Sequence, residues 1–270
     1  MSGRWTEHFS FLSAVPLGGE RLLVAAVQDE AAEKKLNLTI FFHWHAGKWN
    51  VLDQPLLDAA VGLAASQPPL QECVVLGLHG RTISFRVSES GLESTGSGQI
   101  GSSHNPPILR AIAVVGPAWF VAGMGREVYQ RRTSSYWEPV DHAVRIAEPD
   151  VIPVGFQTLS GYSVGELYAA GFGGEVWSLT DGAWRQQDSP TNVALDTSCC
   201  CPDGLLALCY ISKHALTLHT VDVRLGDPAH VGRQQPGGAS PGVGSGVGEG
   251  VALPRRLCAW ICARRLREVS

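Results

Sequence analysis

The sequence predicts an all-β chain built from a repeated four-stranded unit, and three observations lead there. The first is a recurrence of glycine and aromatic positions. Between residues 119–129 and 167–177, Gly123 matches Gly171, Gly125 matches Gly173, Glu127 matches Glu175 and Tyr129 matches Trp177, each pair 48 positions apart (171 − 123 = 48). Trp137 and Trp184 follow at a spacing of 47. The second is a succession of short apolar runs separated by turn signals. The third is composition: 31 glycines and 16 prolines in 270 residues, with as many tryptophans as phenylalanines (8 each), favour turns and short strands over long helices.

Each unit reads as four antiparallel strands. An apolar run (112–115, or 156–159) leads through a turn (116–118, or 163–165) into a second strand that ends at the Gly-x-Gly segment. Glycine there is expected to supply the positive φ of a tight hairpin. The third strand alternates, as in 175–179, and Asp181-Gly182 signals the turn into a fourth strand that opens on Trp184-Arg185. Four strands in about 40–50 residues is the size of one blade of a β-propeller.

Weaker copies flank this pair. Residues 73–77, His79-Gly80 and 82–85 repeat the outline, with Gly77 46 positions before Gly123 (123 − 77 = 46). Residues 11–15 and 21–27 read as two strands, 28–35 as an extended loop, 38–44 as a third strand, 45–48 as a turn and 49–52 as a fourth. Trp49, Trp137 and Trp184 then share one structural position. Residues 195–201 and 205–209, around Pro202-Asp203-Gly204, begin a further unit. Units starting near residues 10, 60, 105, 150 and 193 give a β-propeller of about five four-stranded blades over residues 1–225, the fifth incomplete. Blade sheets must stack on neighbours to bury both faces. Arg4-Trp5-Thr6-Glu7 resembles a lone fourth strand that would complete the last blade and close the ring.

The repeat fades after about Ser212. Residues 226–252 form a Gly/Pro-rich linker, and 253–270 a basic tail with Arg255, Arg256, Arg264, Arg265 and Arg267 around Leu257, Trp260 and Ile261. Three readings fit the tail: an amphipathic helix that touches a membrane or partner, a flexible tail, or the product of a reading-frame change.

Bulk properties narrow the function classes. A net charge of −4, with no basic stripe before the tail, argues against nucleic acid as a partner. The start of the chain has no apolar segment after a basic cluster, and no run of about 18 apolar residues occurs anywhere, so a cytoplasmic address without a transmembrane helix is expected. Seven cysteines, three of them consecutive (Cys199, Cys200, Cys201), suit buried thiols better than disulfides or metal spacing. His43 and His45 share one strand face, but their aromatic neighbours Phe41, Phe42 and Trp44 favour packing, so no metal and no cofactor is expected. Asp141-His142 has no Gly-x-Ser-x-Gly partner and reads as an exposed turn. Gly171-Phe172-Gly173-Gly174 lacks the Lys-Ser/Thr of a phosphate loop.

The units over 119–137 and 167–184 resemble the YVTN/BNR-like, wider WD-repeat-like propellers of bacteria, through Ala170-Gly171, Trp177, Asp181-Gly182, Trp184-Arg185 and Ser189-Pro190-Thr191. Ser178-x-x-Asp181-Gly182-x-Trp184 is similar to an Asp-box turn, although its spacing departs from Ser-x-Asp-x-Gly-x-x-Trp. The likeness is loose over 10–210 and good over 108–192. It implies a structural role for the Asp-box turn. Members of such families include assembly factors, sialidase-like enzymes and proteins encoded beside secretion or toxin systems.

The expected function is non-catalytic binding of another protein through loops at one rim, as an accessory or immunity protein of a bacterial secretion or toxin system. Arg131, Arg132, Tyr136 and Tyr162 are the expected rim anchors. The alternative is a sialidase-like protein that binds or cleaves glycans. It would need an arginine cluster, drawn from Arg81, Arg126 and Arg185, beside a Tyr–Glu pair and an acid. Against it, Glu127 and Glu175 recur at one repeat position, as turn residues do and a catalytic group does not.

Overall fold

The computed structural model describes residues 8–66, 71–88, 91–142, 144–146, 154–189, 191–200, 205–211 and 216–222. The chain is all-β among these residues and divides into two compact units, 1–198 and 199–270.

The first unit holds four antiparallel four-stranded sheets. The strands of the first are Phe9–Gly18 (β1), Arg21–Gln28 (β2), Ile40–His45 (β3) and Lys48–Val51 (β4). Those of the second are Ala60–Ala65 (β5), Glu72–Gly77 (β6), Arg81–Ser88 (β7) and Gly91–Gln99 (β8). The third contains Leu109–Val115 (β9), Ala118–Gly123 (β10), Val128–Arg131 (β11) and Trp137–Pro139 (β12). The fourth contains Phe156–Ser163 (β13), Glu166–Gly171 (β14), Val176–Thr180 (β15) and Ala183–Gln187 (β16). In each, sequence order is spatial order, and the leading strands β1, β5, β9 and β13 lie next to one another.

Period-2 alternation explains how these sheets hold together. Cys73 and Val75 of β6 pack with Leu23, Ala25 and Phe41 of the first sheet. The intervening Val74 and Leu76 pack with Trp119, Val121 and Trp137 of the third. Phe120, Ala122 and Val128 of the third sheet then meet Leu167, Ala169 and Trp184 of the fourth. An inner sheet is apolar on both faces, which is why second strands read as continuous apolar runs. Burying such a side chain is worth about 1.5–3 kcal/mol. The thiol of Cys73, enclosed in this layer, is pushed far up by burial.

Thr197–Cys200 (β17), Leu205–Ile211 (β18) and Leu216–Asp222 (β19) form a three-stranded sheet in that order, β17 straddling the boundary between the units. Strand β19 lies beyond Ser212, where the sequence pattern fades. Its antiparallel register with β18, Leu205 opposite Asp222, is regular. Residues 4–7, the linker 226–252 and the tail 253–270 lie outside the described residues, as do Cys201, Cys258 and Cys262.

Three local expectations change. Residues 28–35 contain a short helix, Asp29–Glu33 (α1), with two acids in its first turn and a Lys34–Glu30 ion pair, both suited to a helix. Trp49 is 39% exposed and tilts against Trp44, whereas Trp137 and Trp184 are buried in the layer towards the preceding sheet. The two glycines of Gly-x-Gly also do different jobs. Gly125 and Gly173 have the expected positive φ, +65° and +66°. Gly171 is extended, with φ −177°. It must be glycine because a Cβ would overlap the carbonyl oxygen of Gly155 and lie 2.8 Å from Cα of Phe156. A Cβ at Gly123 would overlap the Ile108 carbonyl oxygen in the same way, and one at Gly77 would overlap the Asp58 carboxylate. Asp181-Gly182 forms the expected turn, with φ +54° and +75°.

Gly171→Ala should therefore lower the unfolding free energy by roughly 2–4 kcal/mol. Gly165→Ala, where a Cβ meets nothing within 4 Å, should change it by less than about 0.5 kcal/mol. Urea denaturation of the two variants distinguishes them.

Candidate functional site

In the second, third and fourth sheets the turn between the second and third strands runs over 77–81, 123–127 and 171–175. In the fourth sheet this turn is saturated. Glu175 Oε2 accepts from Arg126 Nε (2.8 Å) and Trp177 Nε1 (3.1 Å), and Oε1 accepts from the Gly155 amide (3.2 Å). The Arg126 guanidinium lies over the Trp177 ring, 4.9 Å from its centroid. The cation comes from the third sheet's turn and the carboxylate from the fourth sheet's, so the group joins neighbouring sheets.

At the matching place in the third sheet, Glu127 is not served in that way. Arg145 Nη1 is 3.6 Å from Glu127 Oε1, too far for a good hydrogen bond, and Glu127 Oε2 is buried with no hydrogen-bond partner. Arg145 is instead committed to Asp141, whose Oδ2 accepts from Arg145 Nε (2.8 Å), Arg145 Nη2 (2.6 Å) and the Val128 amide (3.0 Å). The same guanidinium stands 5.2 Å from the Tyr129 ring centroid. A pocket of about 510 Å³ opens here, lined among others by Gln99, Glu127, Tyr129, Tyr136, Trp137 and Arg145.

The electrostatics follow from this geometry. Burial pushes the Glu127 carboxyl upward; Arg145 pulls it down, nearby Asp141 adds to the rise, and the Tyr129 hydroxyl opposes it weakly. The Tyr129 hydroxyl is also raised, first by burial and then by Glu127. Burial alone would lower Arg145, but its bonds and charge contact with Asp141 outweigh that and hold it above the ordinary value. A tyrosine pushed towards its neutral form is poorly suited to attack as a nucleophile. The arginines expected of a glycan site lie on separate sheets: Arg81 starts β7, Arg126 is bound to Glu175, and Arg185 lies on β16.

The expected anchors fall in different settings. Arg131, expected on an exposed loop, ends β11 with a side chain only 7% exposed. It bonds Glu72 (2.9 Å) and Ser84 Oγ (3.0 Å) in the second sheet, and lies over Trp119 and Trp137. It is an inter-sheet clamp, because a guanidinium between two indoles and a carboxylate is held by all three. Arg132 is exposed and pairs with Glu138. Tyr136 is 55% exposed at the pocket wall. Tyr162 lies near the end of β13, edge-on to Tyr168. Asp141 is buried, in contrast to the exposed turn expected, since it anchors Arg145 and the Val128 amide.

His43 is buried and stacks on His45 at 5.7 Å, and burial, then His45 and Arg21, lower it. Among the described residues no three His, Cys, Asp or Glu side chains gather as a metal site. His79 bonds Asp58 (2.9 Å). Sequence reading missed Arg145 and treated Glu127 as a copy of Glu175. The available signal was that their surroundings differ, Tyr129 for Trp177 and Arg126 for Gly174.

No family model matches the chain. Among curated proteins it is similar to Immune protein Tsi7 of Pseudomonas aeruginosa, 28% identical over 206 residues. The matched segment covers 74% of this chain and 66% of that protein, so the chain spans less than two thirds of the relative's length. Among solved structures it is similar to Sqt1 of Chaetomium thermophilum, a WD40 propeller, with TM-score 0.51 and 13% identity over 74% of this chain and 54% of the other. That likeness concerns fold alone. No helix among the described residues is long and apolar enough to cross a membrane.

Two outcomes test these assignments. Arg131→Ala should cost roughly 2–4 kcal/mol by leaving the part-buried Glu72 without its partner, while Arg132→Ala should cost less than about 0.5 kcal/mol, both read by urea unfolding. Glu127, raised in the folded state, binds its proton more readily folded than unfolded, so its ionisation opposes folding. That penalty is absent below about pH 4 and grows as pH rises through the folded value. Glu127→Gln should therefore raise the thermal midpoint near about pH 8 and lose that gain at about pH 4.

Proposed function

We propose that this chain is a non-catalytic binding protein that neutralises a protein toxin, as an immunity protein of a bacterial secretion or toxin system. The observation that carries the reading is the 28% identity with an immune protein over three quarters of the chain. The architecture supports it. Stacked four-stranded sheets present their connecting loops at two ends, and rigid sheets with variable loops suit macromolecular recognition. On this reading the sheets are blades of a β-propeller of about five blades, in keeping with the likeness to Sqt1, and its YVTN/BNR-like or WD-repeat-like repeats work in the cytoplasm.

Tyr136 and Tyr162 are the anchors that remain from the sequence pattern. Tyr136 is in the β11–β12 loop, and Tyr162 precedes the β13–β14 turn. A Cβ on Gly161 would lie 3.1 Å from Val115, at the end of β9, so the ends of β9 and β13 are aligned. Antiparallel connectivity then puts the β11–β12 loop and the β13–β14 turn at the same end of their sheets. Tyr136 is exposed and Tyr162 half-buried, and tyrosines supply large contact area at small entropic cost.

Affinity purification of the tagged chain from its native host should recover one protein in stoichiometric amount. Expression of that protein alone should arrest growth, and co-expression of this chain should restore it. Changing both Tyr136 and Tyr162 to alanine should weaken the complex about tenfold or more. Recovery of no partner, or of one whose expression is harmless, overturns the immunity reading.

A further inference from the structure

The molecule itself shows what chemistry the Glu127 position accepts. The second-to-third strand turns align residue for residue: Gly77, Gly123 and Gly171 hold one position, and Gly80, Arg126 and Gly174 hold another, all three of the latter with positive φ (+82°, +58° and +73°). In the fourth sheet the carboxylate, Glu175, faces the third turn position after the glycine in the preceding sheet and receives Arg126. The position that matches Arg126 in the second sheet is Gly80, which carries no side chain. A Cβ at Gly80 would come within 2.7 Å of the Ile100 carbonyl oxygen and 3.1 Å of Pro107, so this turn has no room to supply an arginine. Arg126, by contrast, keeps a side chain in the left-handed region despite the cost, where the sister turns use glycine.

The indole at this site shows the same departure. Trp184 Nε1 donates to the carbonyl of Val140, the residue after β12 (2.8 Å). Trp137 holds the matching place one sheet earlier and is 95% buried, being 5% exposed, yet its Nε1 has no partner. Unpaired groups of this kind cost free energy and are rare in interiors. Glu127, whose Oε2 lacks a donor, and Trp137, whose N–H lacks an acceptor, both line one pocket. Two carboxylates, Glu127 and Asp141, face the single guanidinium of Arg145, and Asp141 takes the two best bonds that guanidinium makes.

We propose that the pocket between the second and third sheets is a binding site for a guanidinium group, which would pair with Glu127 as Arg126 pairs with Glu175. A planar fork meets both carboxylate oxygens at once. The terminal torsion of a glutamate is soft, so the carboxyl group turns to its guest without backbone movement. The guest is thus an arginine residue of a protein, or a free small guanidinium compound. The site does not depend on the immunity reading, and it stands or falls separately from it.

The test uses the full chain labelled with ¹⁵N and follows the indole N–H resonances, the Trp137 signal being assigned by its loss in Trp137→Phe. N-acetyl-arginine amide should shift that signal saturably, and N-acetyl-citrulline amide, of the same shape without the charge, should not. Glu127→Gln, confirmed as folded by the unchanged remaining indole signals, should weaken the arginine probe about tenfold or more. An arginine-containing pentapeptide that binds more tightly than methylguanidinium identifies a protein side chain as the source; equal affinities identify a small free cation. Absence of a Trp137 shift with the arginine probe, an equal response to citrulline, or unchanged affinity in Glu127→Gln overturns the proposal.

Discussion

The burial of both faces of each inner sheet is the constraint on which the rest of this structure depends. No four-stranded sheet of this size can cover its own two apolar faces, so each needs a neighbour on either side. Cys73 and Val75 look one way and Val74 and Leu76 the other. The same alternation in β10 and β14 carries the stack through the unit. The close approach of β10 and β14 to the segments leading into β9 and β13 then forbids a side chain at Gly123 and Gly171. Polar groups that lie between sheets must be matched across the join, as Arg131 is with Glu72 and Arg126 with Glu175.

Much of this was legible in the sequence because repetition multiplies a weak signal. Unit starts near 10, 60, 105 and 150 compare with strands that begin at Phe9, Ala60, Leu109 and Phe156. Asp181-Gly182 marked its turn for a local reason that one dipeptide contains. The reason for Gly123 and Gly171 was hidden, since a clash with a carbonyl 15 or 16 residues earlier leaves no local mark (123 − 108 = 15; 171 − 155 = 16). Helix α1 was missed because five residues are too few to show a helical period.

The candidate site was less legible, and for a physical reason. Repeat matching finds what successive units share, whereas the pocket arises where they differ. Glu127 and Glu175 are alike in sequence, but Glu175 takes its arginine from the turn of the neighbouring sheet, and the matching position of the second sheet is Gly80. Arg145 and Asp141 lie beyond the matched strands and meet Glu127 only in three dimensions. Arg131 looked like a surface residue because an arginine beside another arginine in a loop usually is one. Only the indoles of Trp119 and Trp137 around it reveal a buried post.

The layered packing has a consequence for how such a chain can diverge. Each interface is shaped by two adjoining sheets alone, so the Val74–Trp119 layer can be rewritten without disturbing the one that holds Leu167 and Trp184. Compensating changes need only be found locally, and they accumulate one join at a time. At 13% identity a similar arrangement of sheets is still measurable, as expected of a fold that asks for matched joins and not for particular side chains at each.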